Sequence, residues 1–369
     1  MSAAPEARAD RLAEAVSEAG LDALLVGDLV RPGDSSREAI ADLTWLTGFD
    51  GSSGLAAVGE RLRLFVTDFR YVERARLERP SSFDLVQAEE NLVDTLGSRL
   101  SGRVGFDPRA TSVRERGRLE QAAADGVEFV AVEQLVDRLR RVKDEHEIAS
   151  IAAASELGDQ VYAELEEAGF GGRTERGVAL WIEERMRRLG ASGASFPPIV
   201  AGGPNGALPH AEPGERAIGL GDLVVVDLGA IVDGYCSDCT RTYGCGEVGS
   251  AEREAYGVVR QAQSTALEAV AAGRSGRELD AVARDVIEAA GYGESFGHGL
   301  GHGVGIAVHE APRLSKRSDD VLLAGDVVTV EPGVYVPGEF GVRIEDLVVV
   351  GTDGVRNLSS RPKELLALG

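Results

Sequence analysis

Along the first 140 residues, helical spacing of apolar positions alternates with short apolar runs. Leu12, Val16 and Ala19 share one face of a predicted first helix that stops at Gly20. Apolar runs follow at 23–26 (ALLV), 64–68 (LFVTD), 104–107 (VGFD) and 128–132 (EFVAV), with helical segments between them. This alternation predicts an α/β domain over residues 1–140 with a partly parallel sheet. The segment holds no His and no Cys, so chemistry is expected elsewhere. From about residue 141 the pattern changes. A charged-apolar helix begins near Lys143 and opens a helix pair (144–168 and 173–189) that leads to a hairpin at 223–243. A second pair (251–272 and 276–290) leads to glycine-rich strands and a hairpin at 326–350. The order helix, helix, hairpin thus occurs twice, which reads as an internal duplication within an α+β domain over 141–369.

The first hairpin, VVVDLGAIVDGYCSDCTRT, carries a Cys-x-x-Cys spacing and three aspartates. Asp233-Gly234 is the turn signal. A turn centred before Asp233 sets Asp227 opposite Asp238, and one centred after it sets the two diagonally. Both registers leave Asp227 and Asp238 on one face. Cys236 and Cys239 are three apart, so a regular strand points them to opposite faces. With no second Cys-x-x-Cys in the chain, a four-thiolate zinc site is excluded. The second hairpin, VVTVEPGVYVPGEFGVRIEDLVVV, places Glu331 and Glu345 symmetrically about Gly338, again able to share a face. Any one such carboxylate alone reads as a solvated strand face or a ladder ion pair. Here all four sit in apolar strands, where an unpaired buried carboxylate costs several kcal/mol. Arg241 and Arg343 are placed to neutralise two of them, and the others demand a further cation.

Of five histidines, His146 lies in the charged linker helix and reads as exposed. His298, His302 and His309 fall in FGHGLGHGVGIAVHE, where four glycines between 297 and 303 permit close approach of backbone or substrate. A phosphate cradle is the alternative, but no dinucleotide or Walker fingerprint accompanies these glycines. Four carboxylates with imidazole suit two divalent cations and a water activated for hydrolysis.

Composition narrows the class further. The net charge of −22 opposes nucleic acid as a partner. Its 39 basic residues include only three lysines (Lys143, Lys316 and Lys363), a skew that genome composition or adaptation to salt would each explain. No apolar run approaches a membrane span, the charged N-terminus lacks a signal-peptide core, and three clustered cysteines cannot staple the chain. A cytoplasmic protein with no membrane partner is expected.

Together these residues resemble metallopeptidase family M24, the pita-bread fold of methionine aminopeptidase, prolidase and Xaa-Pro aminopeptidase, over nearly the whole chain. The family's five metal ligands, Asp, Asp, His, Glu and Glu in order, match Asp227 in VVVDLG, Asp238 in SDCTRT, His302 in GHGVG, Glu331 in VEPG and Glu345 in RIED. The resemblance implies two divalent metal ions, manganese foremost, with cobalt, zinc and iron as alternatives. Asp227 would hold one ion, His302 and Glu331 the other, and Asp238 and Glu345 both. His210 in GPNGALPHAEPGE matches a histidine that binds substrate and aids the leaving group. His309 in AVHEAP matches one that contacts the scissile carbonyl and the tetrahedral intermediate. Glu331 would also take the proton of the attacking water. His298, Tyr335 and Arg343 resemble side chains that stand behind the ligands. After His210 the run AEPGER departs from the family pattern, which bears on fine specificity. The apolar stretch at 194–200 (ASFPPIV) reads either as a border of the substrate pocket or as plain core.

TWLTGFDGSSG (44–54) and FVTDFRY (65–71) resemble the creatinase-type N-terminal domain of the Xaa-Pro aminopeptidase and prolidase subgroup. That implies a dimerisation and substrate-access domain over 1–140 and a pita-bread catalytic domain over 141–369, with duplicated helix–helix–hairpin units around a curved antiparallel sheet. The implied activity is hydrolysis of the N-terminal Xaa-Pro bond of peptides by attack of a metal-bridging hydroxide, in a homodimer. The alternatives are a metal-dependent hydrolase of a non-proline amide or modified amino acid, as in creatinase-like relatives, and a non-catalytic binding protein of this fold.

Overall fold

Short apolar strands build a six-stranded sheet in the first unit, Met1–Arg140. The computed structural model describes residues 4–369 apart from Asp34 and Glu38. In sheet order the strands are Asp84–Gln87, Arg63–Thr67, Leu55–Val58, Ala23–Val26, Arg103–Phe106 and Glu128–Ala131. The pairings of Leu55–Val58 with its two neighbours are antiparallel and the other three are parallel. Ala23–Val26 and Leu55–Val58 are buried along their whole length, whereas both edge strands are half exposed. Leu25, Leu55, Val66 and Val104 of the sheet pack with Leu96 and Leu119 of helices Leu92–Gly97 and Val113–Ala122. The strands LAAV and DLVQ escape the sequence pattern. The first has two alanines where β-branched residues would mark a strand, and the second is an edge strand with polar ends.

In the second unit, Arg141–Gly369, the chain forms two long helix pairs, and one helix of each starts with a reciprocal cap. Asp144 and Glu147 form a capping box at helix Glu145–Ala168, and Ser275 and Glu278 form one at Gly276–Ala289. Helices Glu145–Ala168 and Glu175–Arg188 share a core with the first hairpin, through Val161, Leu165, Ile182, Val224 and Val226. Helices Ser250–Ala269 and Gly276–Ala289 share a separate core with the second hairpin, through Val259, Ala283, Ile287, Val328 and Val342. Each helix–helix–hairpin repeat therefore buries its own apolar face.

The first hairpin turns at Asp233 (φ 47) and Gly234 (φ 84), the left-handed pair that a two-residue turn requires. Ile231 faces Cys236 and Asp227 faces Thr240, so the diagonal register is the one adopted. The ladder is interrupted at Ser237 and Asp238, where Gly229 passes close by: a Cβ there would stand 2.0 Å from the Ser237 carbonyl oxygen. The second hairpin is centred on Gly338, with Val336 facing Phe340 and Val330 facing Asp346. Its ladder also pauses, at Glu331-Pro332 and at Ile344-Glu345.

Candidate metal centre

Three of the four carboxylates, Asp238, Glu331 and Glu345, stand at the pauses in the two ladders, while Asp227 stays in its strand opposite Thr240. Freed from its own hairpin, the Glu345 backbone N–H donates to the Thr240 carbonyl of the first hairpin at 3.1 Å. The Glu331 N–H donates to the Leu300 carbonyl of the glycine-rich segment at 2.8 Å. That segment lies against its neighbours because it lacks side chains: a Cβ at Gly301 would sit 2.1 Å from the Thr329 carbonyl oxygen, and one at Gly303 2.2 Å from that of Ala311. Gly297, by contrast, faces open space.

These contacts bring Asp227, Asp238, His302, Glu331 and Glu345 to the wall of one cavity of about 540 Å³. Asp227, Asp238, His302 and Glu345 are buried. Donor atoms of Asp238, His302 and Glu345 lie within 4.8 Å of one another. His302 Nε2 is 3.3 Å from Glu331 Oε1 and 3.7 Å from Asp238 Oδ2. His302 Nδ1 lies 3.1 Å from the Gly303 carbonyl oxygen, which can only accept, so Nδ1 carries the proton and Nε2 turns a lone pair toward the carboxyls.

Electrostatically the cluster is incomplete. Burial, and then the neighbouring carboxylates, push the Asp238 and Glu345 carboxyls well above their ordinary range. Burial raises Glu331 to about 7, with Arg343 opposing. Burial, and then His309, lower His302 to about 3, so its imidazole is neutral at pH 7. Asp227 Oδ2 accepts from Arg343 Nη2 at 2.6 Å, while Oδ1 is buried with no hydrogen-bond partner among the described residues. Arg241 does not serve this cluster as expected. It pairs with Asp346 at 2.9 Å on the other side of its strand and donates to the carbonyls of Thr240, Glu345, Arg361 and Pro362. The donor set of hard oxygens, one neutral imidazole and an orphaned carboxylate oxygen fits divalent cations.

The metallopeptidase family M24 model matches residues 149–352, and the creatinase/prolidase N-terminal domain model matches residues 8–142. The chain belongs to metallopeptidase family M24. A Xaa-Pro dipeptidase of Pyrococcus furiosus is 37% identical over 86% of this M24 chain and 89% of its own. The solved Xaa-Pro dipeptidase from Bacillus anthracis superposes with a TM-score of 0.91 at 36% identity, covering 99% of this chain and 100% of that one. The X-Pro aminopeptidase from Thermotoga maritima does so with a TM-score of 0.88 at 34% identity, over 98% and 100%. No helix among the described residues of the M24 chain is long and apolar enough to cross a membrane.

The remaining candidates of the M24 chain surround the same cavity. His210 and His309 are exposed on its wall, the His309 ring 4.4 Å from that of His302. His298 lines the wall too; burial lowers it to about 4. Tyr335 stands behind the wall: its hydroxyl accepts from Arg343 Nη1 at 2.9 Å and lies 2.9 Å from His298 Nε2. His298 Nδ1 faces the Gly299 carbonyl oxygen at 2.8 Å, so Nε2 accepts the tyrosine proton. Phe196, Pro197 and Ile199 of the apolar stretch also border the cavity.

The cysteines stand apart from all of this. All three are buried thiols, Cys236 Sγ donating to the Ile306 carbonyl and Cys239 Sγ to that of Glu345, each at 3.3 Å.

Sequence reasoning missed several residues of the centre. Thr240 Oγ1 accepts from Arg343 Nε at 2.9 Å and donates to Glu345 Oε2 at 2.7 Å. Thr329 Oγ1 accepts from the His302 N–H at 3.0 Å and donates to Glu331 Oε1 at 3.1 Å. Each threonine is two residues from a carboxylate, and that strand spacing was the available signal. Arg313 lines the cavity, and no carboxylate among the described residues pairs with its guanidinium.

Proposed function

We propose that this chain is a dinuclear metal-dependent exopeptidase that hydrolyses the bond between an N-terminal residue and proline, with the Xaa-Pro dipeptide as its preferred substrate. The observation that carries this reading is the convergence of four carboxyls and a neutral imidazole with one buried guanidinium between them. Asp227, Asp238, His302, Glu331 and Glu345 would hold two divalent ions, manganese by choice of hard donors. When bound, such ions supply an activated water and polarise the scissile carbonyl.

The chain's own groups supply the rest. Glu331 Oε1 takes the Thr329 hydroxyl, so Oε2 is left to accept a proton from water. His210 and His309, both on the open wall, reach the leaving nitrogen and the scissile carbonyl oxygen respectively. Phe196, Pro197 and Ile199 offer an apolar surface to the proline ring. Arg313, a guanidinium without an acidic partner, suits the free carboxylate of a dipeptide. The names of the B. anthracis and P. furiosus relatives support the dipeptidase form. Residues 1–140, which expose Phe69, Leu77 and Val113, are assigned to homodimerisation.

Xaa-Pro dipeptides, Xaa-Pro-Yaa tripeptides and proline-free peptides compared side by side test the proposal. Dipeptides should be cleaved far faster than tripeptides. Equal cleavage of tripeptides would make this an aminopeptidase, and cleavage without a proline requirement would overturn the substrate class.

A further inference from the structure

The loop that carries His210 runs from Gly202, at the end of strand Ile199–Gly202, to Gly214. Both ends are tied to one side chain. Glu175, the first residue of helix Glu175–Arg188, is fully buried. Its Oε1 accepts from the Gly202 N–H at 2.9 Å, and its Oε2 from the Gly214 N–H at 3.2 Å. The Asn205 side-chain nitrogen lies 3.0 and 2.9 Å from the two oxygens. No cation among the described residues pairs with this carboxylate, since the nearby Arg216 gives its guanidinium to Asp222 at 2.7 and 2.9 Å. Nor does the helix start need it as a cap, because Thr174 Oγ1 already accepts the Gly177 N–H at 3.0 Å. A buried carboxylate held only by N–H donors of one loop has the shape of a clamp on that loop.

Two further contacts extend the clamp to the imidazole. Gly206 lies so close to the strand Phe340–Arg343 that a Cβ on Gly341 would stand 1.8 Å from the Gly206 carbonyl oxygen. Arg343 Nη1 donates to the carbonyl of Pro209, the residue before His210, at 3.3 Å. His210 itself is exposed, and its imidazole makes no hydrogen bond among the described residues. We infer that Glu175 is a positioning residue for His210, fixing both ends of the 202–214 loop so that the imidazole faces the substrate. This rests on the reading of His210 as a substrate-facing group.

The test is a double-mutant cycle between Glu175→Gln and His210→Ala, read with whichever peptide the substrate comparison shows to be cleaved. Glutamine offers one acceptor oxygen to three donor groups, so at least one loop N–H loses its partner. Glu175→Gln should lower kcat/KM by about tenfold in the presence of His210 and by less than about twofold in the His210→Ala background, with metal content unchanged in both. Asn205→Ala, which leaves no buried donor unpaired, should show a smaller loss that also vanishes without the imidazole, and it carries the cycle if Glu175→Gln does not fold. Equal losses in both backgrounds would overturn the inference. Unimpaired activity of His210→Ala would instead overturn the reading of His210 on which it stands.

Discussion

The first hairpin turns through two residues, Asp233-Gly234, and the second through three, Pro337 to Glu339. The even turn sets Asp227 against Thr240, with Asp238 two residues nearer the turn at a gap in the ladder. The odd turn keeps Glu331 and Glu345 in step, between the pairs Val330–Asp346 and Gly333–Arg343. Diagonal aspartates and level glutamates nevertheless reach one cavity, so a shared strand face matters more than a shared rung. The hairpins also complete each other. Arg343 of the second pairs with Asp227 of the first, and Thr240 of the first donates to Glu345 of the second. Arg241 of the first hairpin turns away, to Asp346.

The largest effect should follow from cutting that cross-link. Arg343→Met leaves Asp227 buried without a counter-charge and should destabilise the metal-free protein by about 3–5 kcal/mol. Arg241→Met should also cost stability, because Asp346 and four carbonyls lose a donor, yet leave metal content as in wild type. Denaturant unfolding with metal analysis separates the two. Metal loss on Arg241→Met would break the distinction between the arginines.

Burial of the carboxyls between the hairpins gives a second, pH-dependent effect. In the folded metal-free protein Glu331, raised to about 7, keeps a proton that the unfolded chain has released, so stability falls as pH rises. His302 and His298, lowered to about 3 and about 4, act in the opposite sense, but only below about pH 6.5, where the unfolded imidazole binds a proton. Above that pH the carboxyls act alone. Metal-free protein should therefore lose stability from about pH 6.5 to 8, by ~1.4 kcal/mol per pH unit for each proton the folded protein keeps and the unfolded chain has released; the Glu331 share ends near pH 7, and Asp238 and Glu345, raised well above their ordinary range, carry the loss beyond it. Metal-loaded protein should show little such slope. Unfolding midpoints across that range check this, and a flat metal-free profile would contradict it.

The smallest effect belongs to the cysteines. Cys236→Ala removes one weak donor to a carbonyl, and Cys239→Ala removes one together with an acceptor for Arg241 Nη1; each should cost ~1 kcal/mol without changing metal content. Loss of metal in either variant would revive a thiolate site.

Much of this geometry was legible in the chain because the hairpins are local. An Asp-Gly turn inside alternating apolar runs fixes strand faces over some twenty residues, and side chains two apart fall on one side. Paired helices before each hairpin announced the repeat. What stayed hidden depends on distant pairing. Nothing near Arg241 in sequence points to Asp346, over a hundred residues on, rather than to the cavity. Glu175 reads as an ordinary acidic residue in a first helical turn until residues 202–214 close on it. The strand Leu55–Val58 is recognisable only through burial between two neighbours.

The central claim is that the two hairpins and His302 together hold two divalent ions. Metal analysis of protein reconstituted with manganese tests it most directly, on wild type and Asp238→Ala. Two ions per wild-type chain, and a clear loss in Asp238→Ala, are the predicted result. A wild-type chain that retains no metal, or an Asp238→Ala variant that retains as much as wild type, would contradict it.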